Sequence, residues 1–489
     1  MLQNGYIGLL QQGLQRKDFS CTELTNRYLS AIDAGNARLG AYVSVTAESA
    51  LQAALAVDQK IARGEALAPL EGIPMTLKDN ISTKDIATTC CSRMLQNYVP
   101  IYDASVWQAL RAQNAVLLGK SNMDEFAMGS SCETSVFGGA NNPYDTSRVA
   151  GGSSGGGAAA VGGGLAAYAL GSDTGGSVRQ PASFCGLVGL KPTYGTVSRY
   201  GLIAYASGFD QIGPITRTAQ DAQRVWQAIS FHDAHDSTSY PADARIQAPC
   251  VPMQSLRIGI VREWMECCSP AVTAALEQAL EVYRTMGARI VELSMPALRL
   301  AVPVYYILAC AEASSNLGRY DGLRYGYRAT ANEDATLDEL ICRTRSEGFG
   351  PEVQKRILLG TYVLSAGYHD AYYGKAQKLR GAVIKAFATA FESCDVLLSP
   401  TVPTTAFAHG QAAQNPIETY QSDICTVPAN IAGLPAVSLP CGFDGNGLPI
   451  GLQLMGPAFS EQRLLDAAHR FETQTDGAYL CRTATEVSI

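Results

Sequence analysis

With 489 residues, 47% of them hydrophobic and 17% charged, the chain is long enough to bury a large core and too apolar for disorder. Its 37 basic and 44 acidic side chains leave a formal net charge of −7. That balance excludes a nucleic-acid surface made by this chain alone, because phosphate binding draws on clustered Lys and Arg.

The opening segment, MLQNGYIGLLQQGLQRKDFS, lacks the basic start, apolar core and small-residue cleavage site of a secretory signal. No uninterrupted apolar run reaches membrane-spanning length, so a cytoplasmic protein with no membrane role is expected. Ser20-Cys21-Thr22-Glu23 is a capping box and predicts a helix running to about Asp33, with Gly35 just beyond it. A second helix is predicted from about Ala47 to Ala62, ending at Gly64. Residues 1–66 thus read as an N-terminal helical layer.

From Ile73 onward short apolar runs (IPMTLKD, AVLLGKSN) alternate with helix-like segments such as DASVWQALRAQN, the pattern of an α/β sheet with covering helices. After Leu256 the pattern resumes as strand LRIGIV, helix AVTAALEQALEVYRTMG and strand ARIVEL. Residues 232–255 between them are polar and proline-bearing, an exposed excursion within one fold. Helices dominate 270–393, and strands return at DVLLSP and PAVSLPCG. We expect a single α/β domain over 1–489 built on one large mixed sheet with helices on both faces. It comprises a core at 67–215 and a second half at 256–470. The 14 cysteines form no CxxC pair and no zinc-like cluster, and buried reduced thiols are expected.

The glycine-rich run GGSSGGGAAAVGGG from Gly151 has no Lys-Ser/Thr after it, so it is not a Walker loop. The loop-like NNPYDTSRVA before it does not suit a dinucleotide fingerprint, which disfavours an oxidoreductase. A second glycine turn, GSDTGGSVRQP, places Gly175 and Gly176 just before Ser177. Such a turn aims successive backbone N–H groups into one concavity, and SVRQPASF can start a helix whose N-terminus adds positive potential. Ser177 therefore combines a nucleophilic hydroxyl with an oxyanion pocket. Ser153 lies in a comparably tight turn, where a strained or cis peptide would suit it.

A base is needed, and the five histidines do not provide one; His232 and His235 form an HxxH in the polar excursion that reads as solvated loop. Lys78 stands at the end of an apolar strand, where burial would lower its pKa from about 10.4 toward neutrality. On its own a lysine or an arginine such as Arg356 is most often a solvated surface residue.

LEGIPMTLKDN, GGSSGG and GSDTGGSVRQPAS resemble the amidase signature family, whose members use a Ser–cis-Ser–Lys triad. The resemblance implies Ser177 as nucleophile, Ser153 as bridging cis-serine and Lys78 as base. It further implies an oxyanion hole from the N–H groups of Thr174, Gly175, Gly176 and Ser177.

The second half, with EASSNLGRYDGLRYGYR, SPTVPTTAF, PANIAGLPAVSLPCG and GLPIGLQLMGP, is similar to the A-subunit family of bacterial-type Glu-tRNA(Gln)/Asp-tRNA(Asn) amidotransferases. That resemblance implies a glutamine pocket with Arg356, Asp423 and one tyrosine of the Tyr305–Tyr306 pair, of which Tyr306 is preferred. A zwitterionic substrate suits a guanidinium and a carboxylate. It also implies a B subunit that holds ATP, magnesium and most of the tRNA contact, and a small C subunit. No cofactor is expected in this chain. A stand-alone amidase acting on a neutral amide and a non-catalytic scaffold are the competing readings.

Overall fold

Eleven strands form one sheet in the computed structural model, which describes residues 4–245, 247–330, 334–414, 420 and 422–482. In chain order they are β1 (Tyr42–Val45), β2 (Pro74–Lys78), β3 (Val116–Ser121), β4 (Tyr168–Asp173), β5 (Val188–Lys191) and β6 (Gln211–Thr216). They continue as β7 (Arg257–Val261), β8 (Arg289–Leu293), β9 (Val396–Pro400), β10 (Ala436–Phe443) and β11 (Pro449–Met455). Their order across the sheet is β1-β3-β2-β4-β6-β5-β10-β11-β9-β7-β8. The expected mixed α/β sheet shared by both halves is what the chain forms.

Strands β2 through β6 are buried at every residue, which requires cover on both faces and explains why they read as apolar runs rather than as alternating patterns. Helix Gly155–Gly162 packs on β4, helix Ala219–Ile229 on β6, and helices Pro270–Thr285 and Glu461–Gln474 on β10. The edge strand β8 is half exposed.

The capping box forms as read: the Ser20 side chain accepts from Glu23 N–H, and the Glu23 carboxylate accepts from Ser20 N–H at 2.8 Å. Its helix, however, spans Cys21–Leu39 and passes through Gly35. The left-handed stop falls at Gly40, φ 59°, where the chain turns into β1. That edge strand was not expected inside the helical layer. The second helix, Ala47–Ala62, matches its predicted bounds. The excursion is largely exposed, but Asp233 and Asp236 are buried anchors: Asp233 accepts from Ser105 and Ser198 hydroxyls at 2.5 Å each. Pro296–Leu317 is long and apolar enough for a membrane span by length and composition, but Arg299 and Glu312 interrupt it and half of it is buried in the fold as in a core helix.

Candidate active site

Parallel strands β2 and β4 run side by side, so their C-terminal ends open on the same edge, where α/β folds place their ligands. Lys78 is the last residue of β2 and Ser172 lies near the end of β4. Lys78 Nζ is 2.7 Å from Ser153 Oγ, 3.0 Å from Ser172 Oγ and 3.2 Å from the Ser172 carbonyl. The Gly152–Ser153 peptide is cis. Ser154 N–H donates to the Ser177 carbonyl at 3.1 Å, which ties the two glycine turns together. Lys78 and Ser153 have no solvent exposure and Ser177 has 7%, so of the three only Ser177 is open to a substrate.

Burial lowers the Lys78 pKa to about 8, against the opposing pull of Asp124, Asp173 and Asp210. A neutral amine is therefore accessible near physiological pH, within hydrogen-bond distance of Ser153. The arrangement can move a proton from a serine hydroxyl through a second serine to an amine.

Asp173, which ends β4, organises the loop that follows. Burial alone would raise its pKa, but the Arg179 guanidinium and the Asn430 amide hold it well below the usual carboxylate range. It accepts from Gly176 N–H at 2.9 Å and from Val178 N–H at 3.2 Å. Two sequence expectations change as a result. Gly176 N–H is engaged by Asp173, and so is the start of helix Arg179–Phe184, whose potential the carboxylate neutralises. Among the described residues, Gly175 and Ser177 N–H groups have no such acceptor, so both can donate to a bound oxyanion. Both glycines are sterically required: a Cβ at Gly175 would lie 2.7 Å from the Tyr305 hydroxyl, and one at Gly176, φ 133°, would overlap Thr426. The Thr174 hydroxyl donates to Asp210 at 2.7 Å and fixes the start of the loop.

The second-half residues converge on Tyr306. Its hydroxyl donates to Asp423 at 2.9 Å, and its ring centroid is 5.4 Å from the Arg356 guanidinium carbon. Tyr305 instead packs on the oxyanion loop and on Phe209. Arg356, 5% exposed, donates to Glu352 and to the Tyr205 hydroxyl at 2.8 Å each. Burial pushes the Asp423 pKa up to about 6 despite its bond from Tyr306. A cavity of about 550 Å³ is lined by Arg356, Glu352, Tyr420, Ser130 and Glu125. Triad side chains are not on that wall.

Sequence reasoning missed Ser130, which donates to both Asp423 oxygens at 3.2 and 3.3 Å. It also missed Gln180, which bonds the Ser130 carbonyl at 2.7 Å and accepts from Gly152 N–H at 2.8 Å. Gln180 sits inside the SVRQPAS block and was within reach of the motif; Ser130 carried no local signal. Among the described residues no cluster of His, Cys, Asp and Glu is placed to hold a metal.

The Amidase family model matches residues 23–465. The chain belongs to the amidase family. This amidase is 51% identical to the A subunit of the glutamyl-tRNA(Gln) amidotransferase of Synechococcus sp. (strain RCC307), covering 96% of this chain and 97% of that one. It is 53% identical to the protein of the same name from Moorella thermoacetica, over 95% of both chains. Among solved structures, the A subunit of the Thermotoga maritima glutamyl-tRNA(Gln) amidotransferase superposes with a TM-score of 0.76 at 38% identity, covering 93% of this chain and 91% of that one. The peptide amidase of Stenotrophomonas maltophilia superposes with a TM-score of 0.80 at 28% identity, covering 99% of this chain and 100% of that one.

Proposed function

We propose that this amidase is the glutamine-hydrolysing component of a tRNA-dependent amidotransferase, to which it supplies ammonia. One observation carries the choice of substrate: a buried guanidinium and a buried carboxylate, Arg356 and Asp423, meet at the single side chain of Tyr306. A neutral amide gives such a pair no partner, whereas the α-carboxylate and α-ammonium of glutamine satisfy both.

In the proposed reaction neutral Lys78 takes a proton from Ser153 as Ser153 takes one from Ser177. The Ser177 oxygen attacks the side-chain amide carbon, and the resulting oxyanion meets the Gly175 and Ser177 N–H groups. Collapse breaks the carbon–nitrogen bond, the relay returns its proton to the nitrogen, and ammonia leaves. Water then cleaves the acyl-enzyme by the same relay and releases glutamate.

The names of the relatives, each a subunit of a glutamyl-tRNA(Gln) amidotransferase, support a place in a complex that uses the ammonia on glutamyl-tRNA(Gln); we extend the proposal to aspartyl-tRNA(Asn) where the cell makes it. We assign ATP, magnesium and most of the tRNA contact to a B subunit, with a small C subunit completing a cytoplasmic heterotrimer. Co-purification from the native host, with the companion chains identified by mass, tests the assembly. Recovery of the chain alone, with plain amides turned over better than glutamine, would favour a stand-alone amidase, the reading that the likeness to the peptide amidase supports.

A further inference from the structure

Helix Pro351–Leu364 carries Arg356, yet its N-cap residue, Gly350, has no side chain with which to cap it. A helix start leaves N–H groups without partners, and a carboxylate is the favoured acceptor there. That carboxylate comes from Glu125, 225 positions away in sequence: Gly350 N–H donates to its two oxygens at 3.1 and 2.9 Å. A Cβ at position 350 would overlap Glu125 Oε2, so the glycine is what admits the carboxylate.

Glu125 is itself firmly held. It is 4% exposed, and it accepts the Ser92 hydroxyl, which also reaches the Gly348 carbonyl at 3.3 Å. Its own N–H donates to Thr134 Oγ1 at 2.9 Å. Burial pushes its pKa up to about 7, against the bonds from Ser92 and Gly350. The neighbouring Asp124 N–H donates to the Ser153 carbonyl at 3.2 Å, so one turn of chain touches the bridging serine and the start of the Arg356 helix. The first turn of that helix contains Glu352, the residue that holds Arg356 Nε at 2.8 Å.

We propose that Glu125 is a positioning residue for glutamine binding: by capping the helix at Gly350 it fixes Glu352, and through Glu352 the direction of the Arg356 guanidinium. The inference rests on the reading of Arg356 given above. Glu125 takes no part in the bond making at Ser177, so its loss acts on the charged end of the substrate and not on the amide.

Glu125→Gln tests this in the chain co-expressed with its companions. The substitution keeps the shape and one acceptor but turns an amide NH2 toward the Gly350 N–H or the Ser92 hydroxyl. The KM for glutamine should rise about tenfold, the scale of one lost hydrogen bond to a charged group, with kcat and the turnover of a small neutral amide within about twofold. An unchanged glutamine KM, or an equal loss on both substrates, overturns the proposal. In an Arg356→Ala background Glu125→Gln should add nothing to KM, and additive losses overturn it as well. If Arg356→Ala alone leaves glutamine turnover intact, the pocket reading is what has failed. Should Glu125→Gln not fold, Ser92→Ala removes the hydroxyl partner of Glu125 along with its bonds to the Gly348 carbonyl and from Met94 N–H; a smaller glutamine KM rise with neutral-amide turnover unchanged supports the proposal, and no rise or an equal loss on both substrates overturns it.

Discussion

Asp173 and Arg179 form an ion pair in which neither side chain has any solvent exposure, with Nη2 2.9 Å from Oδ1. The rest of the guanidinium donates to the Thr426 carbonyl at 3.0 Å and to the Asn430 and Gln453 side chains. Residues of the second half therefore satisfy a guanidinium that shapes the Ser177 loop of the first.

Arg179→Ala removes one partner and leaves a buried carboxylate without its cation. We expect a loss of about 3–5 kcal/mol of folding stability and near-complete loss of hydrolysis on every amide. Urea unfolding together with steady-state assays checks both. A variant of native stability would show that the pair does not organise the loop.

Ser177→Ala deletes one oxygen at a site that is 7% exposed and should leave the fold intact. Glutamine hydrolysis should fall by roughly 10⁴-fold or more, as when other serine nucleophiles are removed. Free ammonia should still support amidation by the assembled complex. A variant with more than a small fraction of the activity rules out Ser177 as nucleophile.

Lys78 must be neutral to accept a proton, so activity should rise with pH to half its maximum near pH 8. The unfolded chain keeps this proton to about pH 10.4, so between the two values it binds more protons than the native state, and the stability owed to this group rises with pH. Lys78→Arg should be as inactive as Lys78→Ala because a guanidinium stays protonated. An active arginine variant sinks the lysine base.

Arg356→Ala and Asp423→Ala should each reduce glutamine turnover by roughly 30-fold to several thousand-fold, the range for truncating one partner of a buried charged contact, while a small neutral amide loses much less. Burial places the Asp423 pKa at about 6, so glutamine KM should rise as pH falls through that value and the carboxylate is lost. Kinetics on both substrates across pH decide it; proportional losses on the two would make these residues structural.

The candidate triad could be proposed from sequence because each residue sits in a short block whose chemistry is local, whereas Arg356 and Asp423 came only from the family resemblance. Lys78 ends an apolar run, and Ser153 and Ser177 sit in glycine turns. Ser130 and Glu125 were not legible, since they act on partners 293 and 225 positions away that no local pattern announces. Strands β5 (VGLK) and β6 (QIGPIT) also escaped, because full burial on both faces erases alternation and their Gly and Pro read as turns. Helix Cys21–Leu39 overran its predicted end because Gly35 packs against Leu165, where tertiary contact outweighs the weak helix propensity of glycine.

The sheet order keeps the first six strands in one block and the last five in another, joined only where β5 meets β10, Ala436 opposite Lys191. A ribosome making this chain N-terminus first completes that block with β6 at Thr216, about 220 residues before β10 starts at Ala436. During that interval β5 offers an apolar, unpaired edge of the kind that recruits other strands. The nascent half-molecule is thus the stage most exposed to aggregation. Arg179 likewise waits for Thr426, Asn430 and Gln453, so the Ser177 loop reaches its final bonding only near the end of synthesis.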